Sequence, residues 1–156
     1  MPAPITRSLP LVPCAAALLV LAAGAAAAQT LERINPPGLS TPTSYSHIVK
    51  VGKIVYIAGQ IGAKADGTLA GPTMKDQVAQ VMANLATALT SQGLDFSHVA
   101  KINIFVTSIS EFRAPDVVAI REQYFGKNKP VSTLVQIQQL ASPEYKVEIE
   151  AVAAMP

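Results

Sequence analysis

The acidic residues near the C-terminus form the pattern in this chain that is best suited to chemistry. Apolar and polar residues alternate over residues 146–153 (KVEIEAVA), and a period of two is typical of a strand with one buried face. If the apolar residues Val147, Ile149 and Ala151 face a core, then Lys146, Glu148, Glu150 and Val152 point the opposite way. That row is too polar for a core and predicts the lining of a cavity, where a carboxylate can accept a proton from water.

Cysteine and histidine offer little alternative chemistry. The single cysteine, Cys14, cannot form an internal disulfide and lies in a segment that we expect to be removed. A mature chain without cysteine excludes thiol catalysis. The two histidines, His47 and His98, are far apart in sequence, so the sequence predicts no histidine-rich metal site and no bound metal.

The charge balance is close to neutral and argues against nucleic acid as a partner. The chain has 12 Lys plus Arg and 10 Asp plus Glu, which gives a formal net charge of +2. These charges are spread over the whole length, so the sequence offers no basic stripe for a phosphate backbone.

Residues 1–28 have the composition of a secretory signal peptide. Arg7 gives a small positive charge, an apolar region follows, and the alanines at 26–28 suit a signal peptidase that cleaves before Gln29. The alternative is a membrane anchor, but the alanine-rich run is shorter than the roughly 20 strongly apolar residues of a membrane span. We therefore predict a periplasmic or secreted protein that has no membrane segment after cleavage.

The mature chain is expected to begin with an arm and a hairpin. Residues 29–43 are rich in Pro, Ser and Thr without periodicity, which predicts an extended arm that leads into the domain. Short runs rich in Val, Ile and Tyr at 46–51 and 53–58 flank Gly52 and predict a β-hairpin. The next residues, 59–68 (GQIGAKADGT), predict an exposed loop.

Two helices are predicted after this loop. Apolar residues recur at offsets of three and four after Thr73, and Gly93 stands where a helix C-cap is expected. A second helix begins near Pro115 and ends at Gly126. The inner face of this second helix is expected to consist of Val117, Ile120, Arg121 and Tyr124.

Strands at 99–107, 133–140 and 146–153 complete the order ββαβαββ for one domain at residues 44–156. Two helices on one face of a mixed sheet of about five strands form an α+β two-layer sandwich. This arrangement leaves the other sheet face without a cover. We therefore predict a closed oligomer with pockets between its subunits.

Motifs along the domain resemble one known family. The resemblance is carried by Tyr45-Ser46, VYIAGQIG at 55–62, QVMANLATAL in the first helix, KINIFVT at 101–107, YFG at 124–126 and VEIEAVA at 147–153. In order and spacing these motifs are similar to the RidA family, also called YjgF or endoribonuclease L-PSP. The resemblance implies a chorismate-mutase-like fold, a homotrimer with clefts between subunits that take a small-molecule ligand, and no cofactor.

The resemblance also implies a reaction and several site residues. Family members with deaminase activity hydrolyse imines and enamines, such as 2-iminopropanoate, to ammonia and a keto acid. Glu148 matches the catalytic glutamate that positions water. Tyr45 matches a tyrosine that completes the substrate pocket, although its ring could instead close the hairpin core. Gly59 matches a glycine whose backbone amide approaches the substrate; the alternative is a turn that simply requires glycine. Ala58 stands where many relatives have a serine.

One departure from the family concerns the residue that binds the substrate carboxylate. Residues 130–135 read PVSTLV where deaminase members read like PARSTV, so Ser132 occupies the arginine position and Thr133 the pocket position beside it. A hydroxyl cannot replace the two charge-assisted hydrogen bonds of a guanidinium. Lys127 or Lys129 could substitute, although both are expected to be solvated loop charges.

Three function classes follow from these observations. The first is an exported hydrolase that uses Glu148 and a bound water on an imine, an enamine or a related electrophile. The second is a trimer that binds a metabolite or a protein without turnover. Val118 replaces a polar asparagine of deaminase members, so the reaction transfers only in part. The third, an endoribonuclease, is disfavoured by the small net charge and the two scattered histidines.

Overall fold

The computed structural model describes residues 29–156, and the predicted signal peptide lies outside them. The elements are β1 Leu31–Ile34, β2 Ile48–Val51, β3 Ile54–Ile61, α1 Met74–Thr90, β4 Val99–Val106, α2 Ile109–Phe112, α3 Pro115–Phe125, β5 Val131–Gln136 and β6 Val147–Ala154. The sheet order is β1-β2-β3-β6-β4-β5, and only β4 and β5 are parallel neighbours. No helix of the described residues is long and apolar enough to cross a membrane.

Reciprocal capping explains where α1 begins. Thr73 Oγ1 accepts a hydrogen bond from the Asp76 backbone N–H at 3.1 Å, and the Asp76 carboxylate accepts one from the Thr73 backbone N–H at 3.4 Å. This pair satisfies two donors that the first turn leaves without helical partners. The predicted stop is displaced slightly, because Ser91 is the C-cap and Gly93 follows with a φ of +70°.

The core lies between the sheet and the two longer helices. α1 contacts α3 and packs on β3 and β6. Every second residue of β6 is buried from Val147 to Ala153, and Glu148, Glu150 and Val152 between them are partly exposed. The apolar residues that α1 buries are Met74, Val78, Val81, Met82, Leu85, Ala88 and Leu89. The predicted α+β arrangement, with its helix layer on one face of a mixed sheet, is confirmed.

A buried glutamine connects α1 to the start of β6. Gln77 is fully buried, and its Nε2 donates to the Gly71 carbonyl at 3.2 Å and to the Glu144 carbonyl at 2.8 Å. Its Oε1 accepts a hydrogen bond from the Lys146 backbone N–H at 2.8 Å. Because Lys146 directly precedes β6, these bonds fix the point at which the acidic strand enters the sheet.

The arm is less simple than its composition indicates. Residues Leu31–Ile34 of the predicted extended arm form β1, which pairs antiparallel with β2 and gives the sheet a sixth strand at its edge. Three of its four residues are exposed. An exposed edge strand needs no alternation of apolar and polar residues, so no such pattern marks β1 along the chain.

Two predicted boundaries in the sheet were wrong. β3 continues through Ile61, which pairs with Glu148, so the first three residues of the predicted loop at 59–68 belong to the strand. β5 covers Val131–Gln136 and not 133–140, because it pairs with β4 in parallel and both strands end together. A one-turn helix, α2, was not predicted; Ser108 caps it by accepting a hydrogen bond from the Glu111 backbone N–H.

Candidate functional site

Glu148 lies in a cavity beside the C-terminal end of β3. The cavity has a volume of about 310 Å³. It is lined by Tyr45, Ala58, Gly59, Ile61, Ala141 and Glu148. A single chain therefore brings together four of the residues that the sequence singled out, and we call this space the Glu148 cavity.

Partial burial makes the Glu148 carboxylate more basic. Burial raises the pKa of Glu148, and the negative charge of Glu150 on the same strand raises it further. Glu150 itself accepts a hydrogen bond from Asn103 Nδ2 at 2.6 Å. A carboxylate with a raised pKa accepts a proton from water more readily than a solvated one, provided that it is ionised at the working pH.

Gly59 makes room for this carboxylate. A Cβ atom at position 59 would overlap Oε1 of Glu148 and would lie 2.6 Å from its Cδ. The pairing of β3 with β6 changes register between Ile57 and Gln60, so Gly59 lies in a bulge. Gly59 is not among the glycines of the described residues that have a positive φ. The close approach of Glu148, and not a turn, is therefore what requires glycine here.

A buried polar network supports this bulge. His47 Nε2 lies 2.8 Å from the Ser40 carbonyl oxygen, so Nε2 carries the proton and donates it. His47 Nδ1 is then the acceptor that faces Gln60 Nε2 at 3.3 Å. Gln60 Nε2 also donates to the Ala58 carbonyl at 2.9 Å. The network links residue 40 of the arm to the wall of the Glu148 cavity.

Tyr45 belongs to the cavity wall and not to the core. Its side chain is 51% exposed, and its ring meets His47 edge-on with the centroids 5.5 Å apart. The alternative interpretation, a ring that closes the core of the hairpin, is therefore wrong. His47, in contrast, is 3% exposed and serves the network described above.

Ser132 and Thr133 lie apart from the Glu148 cavity. In the parallel pairing of β4 with β5, Ser132 is opposite Ile102 and Thr133 is opposite Asn103. Because Ile102 is buried beneath the helices, Ser132 shares the helix-facing side of the sheet. Thr133 lies on the uncovered face. Within one chain, the structure does not bring Ser132 to Glu148.

Ser132 instead lines a second cavity, on the helix side of β4 and β5. This second cavity has a volume of about 350 Å³, an apolar floor and a polar lining from Arg121, Glu122, Lys129 and Ser132. Arg121 was predicted to lie on the inner face of α3, without a functional role. The signal in the sequence was this position. A charged residue among apolar residues on such a face indicates a specific role.

The loop lysines lie in solvent, and the histidines form no metal site in residues 29–156. Lys127 and Lys129 are both exposed, in agreement with the expectation of solvated charges. His98 contacts Asp95 at 2.9 Å in a short 3₁₀ turn. Residues 29–156 hold no group of three or more His, Cys, Asp or Glu side chains that could bind a metal ion.

The uncovered face of the sheet exposes apolar side chains. Tyr56 on β3 is 49% exposed, and Val131 and Val135 on β5 are 66% and 42% exposed. Tyr56 pairs with Val152, and Val131 pairs with Lys101, so these side chains share the face opposite the helices. Large apolar side chains exposed on an uncovered sheet face suit a contact with another protein chain.

Comparisons with known proteins agree on one family. The sequence profile described as Endoribonuclease L-PSP matches residues 38–155. The human 2-iminobutanoate/2-iminopropanoate deaminase is 34% identical over 126 residues, which cover 80% of this chain and 88% of the human protein. The solved structure of YEO7 from yeast is similar with a TM-score of 0.75 and 28% identity, and covers 81% of this chain and 100% of that one. A Mycobacterium tuberculosis member of the YjgF/YER057c/UK114 family has a TM-score of 0.64 and 30% identity, with 76% and 98% covered. This chain therefore belongs to the endoribonuclease L-PSP family, also called the YjgF or RidA family.

Proposed function

We propose that this protein is a hydrolase of small imines or enamines, in which Glu148 activates the attacking water. The observation that carries the proposal is the partly buried Glu148 carboxylate, with its raised pKa, in a cavity that it shares with Tyr45 and Gly59. The name of the human relative, 2-iminobutanoate/2-iminopropanoate deaminase, supports the reaction class.

The proposed reaction needs only a proton acceptor and water. Glu148 accepts a proton from water as the water oxygen bonds to the imine carbon, and it returns that proton to the nitrogen. Glu148 then accepts the proton of the hydroxyl group of this adduct and passes it to the nitrogen as the carbon–nitrogen bond breaks. Ammonia and a keto compound are released, and the carboxylate is restored. Tyr45 contributes to the substrate-binding wall, and the missing side chain at Gly59 leaves room for the Glu148 carboxylate against the backbone.

The test is ammonia release from freshly generated 2-iminopropanoate by wild type and by variants at two acidic positions. Glu148→Ala and Glu148→Gln should lose roughly 100- to 10,000-fold in rate, the usual contribution of a positioned acid–base group. Glu150→Gln is the matched control on the same strand, outside the Glu148 cavity. It removes the smaller cause of the raised pKa of Glu148 and leaves the larger one, burial, so it should keep most of the rate. Full activity of Glu148→Ala, or equal losses at both positions, would contradict the proposal.

A wild-type protein that binds small carbonyl compounds but releases no ammonia from any imine would favour the alternative function. In that case the trimer is a binding or protein-interacting module. Residues 29–156 would keep the cavity, but Glu148 would have no reacting water to position.

We further propose that the protein is a homotrimer with pockets between subunits. The exposed apolar side chains on the uncovered sheet face support this assembly, and so does the location of Ser132 and Glu148 on opposite sides of one sheet. Residues 29–156 should elute as a trimer in size-exclusion chromatography with light scattering, with or without reductant. Tyr56→Lys should dissociate the trimer, and a stable wild-type monomer would refute the assembly.

We also propose that the protein is exported, with cleavage before Gln29, on the composition of residues 1–28. Mass spectrometry of the protein recovered from the periplasm or the medium should give residue 29 as the first residue. Recovery of the uncleaved chain in the cytoplasm would refute export.

A further inference from the structure

The bulge in β3 interrupts the sheet at a peptide group that lines the Glu148 cavity. Ile57 and Gln60 both pair with β6, and two residues, Ala58 and Gly59, lie between them. On β6 only Glu150 lies between the two partners. A bulge leaves its extra residue outside the regular ladder of hydrogen bonds. The Ala58–Gly59 peptide therefore depends on other groups for a fixed orientation.

Two buried residues provide those groups. Gln60 Nε2 donates to the Ala58 carbonyl oxygen at 2.9 Å, and the Ala58 N–H donates to the His47 carbonyl oxygen at 2.9 Å. Gln60 and His47 are each 3% exposed. The Ala58–Gly59 peptide is planar and trans, so its N–H points away from the carbonyl that Gln60 holds. One side-chain hydrogen bond thus sets the direction of both polar groups of this peptide.

His47 determines which way the Gln60 amide points. Gln60 Nε2 faces two acceptors, the Ala58 carbonyl oxygen and, at 3.3 Å, Nδ1 of His47. Nδ1 is an acceptor because Nε2 of the same ring donates to the Ser40 carbonyl oxygen at 2.8 Å. A rotated Gln60 amide would place its oxygen against both acceptors and leave them without a donor. His47 therefore selects the orientation of Gln60, and Gln60 sets that of the peptide.

The peptide that these side chains hold lies against the Glu148 carboxylate. Ala58, Gly59 and Glu148 line the same cavity, and even a Cβ at Gly59 would overlap Oε1 of Glu148. A rotation of the peptide would move the Gly59 backbone, and with it the surface on which the carboxylate rests.

We propose that His47 and Gln60 are positioning residues, which act through the Ala58–Gly59 peptide to hold the Glu148 carboxylate where it activates water. As a statement about the rate, the inference rests on the proposed function. As a statement about the place of the carboxylate, it stands on the contacts of the described residues and can be tested without turnover.

The test compares variants that break the His47–Gln60 contact with one that spares it. His47→Leu and Gln60→Leu replace each polar side chain by an apolar one, whereas His47→Gln keeps one donor and one acceptor. Asn35→Ala is the matched control, because Asn35 Oδ1 accepts only the backbone N–H of His47, at 2.9 Å. Two quantities are measured. The first is ammonia release from freshly generated 2-iminopropanoate at saturating and limiting concentrations. The second is the pH titration of the Glu148 carboxyl carbon by ¹³C NMR, assigned with Glu148→Gln.

Both leucine variants should lose roughly 10- to 100-fold in rate at saturating substrate, the order expected when a reacting group is displaced by up to about 1 Å. Their KM should change by less than about threefold, because substrate binding does not depend on the carboxylate position. The pKa of Glu148 should fall from its raised value, since a loosely held carboxylate is better solvated. His47→Gln should keep the rate within about threefold of wild type.

Asn35→Ala should lower the melting temperature, because it removes a hydrogen bond to the same histidine, but keep the rate within about twofold and leave the Glu148 titration unchanged. Circular dichroism establishes that each variant is folded. If one leucine variant does not fold, the other decides. If neither folds, Gln60→Asn takes their place, because it keeps the amide but shortens its reach toward Ala58.

Wild-type rates and a wild-type Glu148 titration in the folded leucine variants would overturn the inference, and so would an equal loss of rate in Asn35→Ala. Failure of the proposed function has a different signature. If no protein releases ammonia, wild type included, but the Glu148 titration still shifts in the leucine variants, the reaction is refuted and the positioning of the carboxylate is kept. Glu148-dependent ammonia release that neither leucine variant affects would do the reverse.

Discussion

The tight fit between Gly59 and Glu148 allows the site to be disturbed without disturbing the fold. In Gly59→Ala the new Cβ would overlap Oε1 of Glu148 and lie 2.6 Å from Cδ and 2.8 Å from Cγ, whereas ordinary contacts begin at 3.4 Å. The carboxyl group must therefore retreat by roughly 1 Å. Because the obstacle is the end of a flexible side chain and not backbone, it is the side chain that moves.

The stability of Gly59→Ala should remain close to that of wild type. An alanine at a compatible φ stabilises a protein by about 0.4–1 kcal/mol through the unfolded chain. An off-rotamer side chain at Glu148 costs about 0.5–1.5 kcal/mol in the opposite direction. These effects nearly cancel, so the free energy of unfolding in urea should change by less than about 1 kcal/mol.

The activity of Gly59→Ala should fall much further than its stability. A displacement of about 1 Å at a reacting group lowers the rate on the order of 100-fold, which corresponds to ~2.7 kcal/mol of transition-state stabilisation. If the loss acts through the carboxylate, the double variant with Glu148→Ala should be no slower than Glu148→Ala alone. Ammonia release from 2-iminopropanoate measures all four proteins.

Two results would refute this reasoning. The first is wild-type activity in Gly59→Ala, which would mean that the position of the carboxylate is unimportant. The second is an additional 100-fold loss when Gly59→Ala is placed on Glu148→Ala, which would mean that Gly59 acts independently of the carboxylate.

Three further predictions concern stability. Gln77→Leu removes three buried hydrogen bonds. At roughly 1 kcal/mol for each bond, it should lower the free energy of unfolding in urea by about 3 kcal/mol. A loss below about 1 kcal/mol would contradict the proposed connection to β6. Thr73→Ala should cost ~1 kcal/mol in the same measurement, because the first turn of α1 loses its cap, and no loss would contradict the capping role. The folded state raises the pKa of Glu148 above its ordinary value of 4.5, so wild type loses stability as the pH rises from that value through the raised one. Glu148→Gln should therefore gain stability over wild type across this pH window. Melting curves at several pH values that showed the opposite trend would refute the direction of the shift.

Local signals allowed most of the helices and the acidic strand to be predicted. The start of the apolar period after Thr73, Pro115 at the start of α3 and Gly126 after it are local signals. They act within one turn, so they can be recognised without the fold. The alternation around Glu148 was equally informative, because only one phase of that strand buries its apolar residues.

The elements that the sequence did not predict depend on pairing between distant residues. β1 is recognisable only once β2 is beside it, and the bulge at Gly59 only once the Glu148 carboxylate is in place. The side on which Ser132 lies follows from its parallel register with Ile102, which no local pattern specifies. For the same reason the second cavity and its arginine could not be assembled from sequence spacing.

The strand β5 has a consequence for the colloidal behaviour of the protein. It has a neighbour on one side only, and Val131–Gln136 contains no charged residue, so a lone chain presents an uncharged row of free backbone donors and acceptors. Such an edge is a template for the addition of further strands and for aggregation. Dissociation of the proposed trimer should therefore produce turbidity and not a clear solution of single chains. Dilution alone should therefore not give a soluble single chain. Replacement of the exposed Val135 by lysine should, because it places a charge on this edge strand.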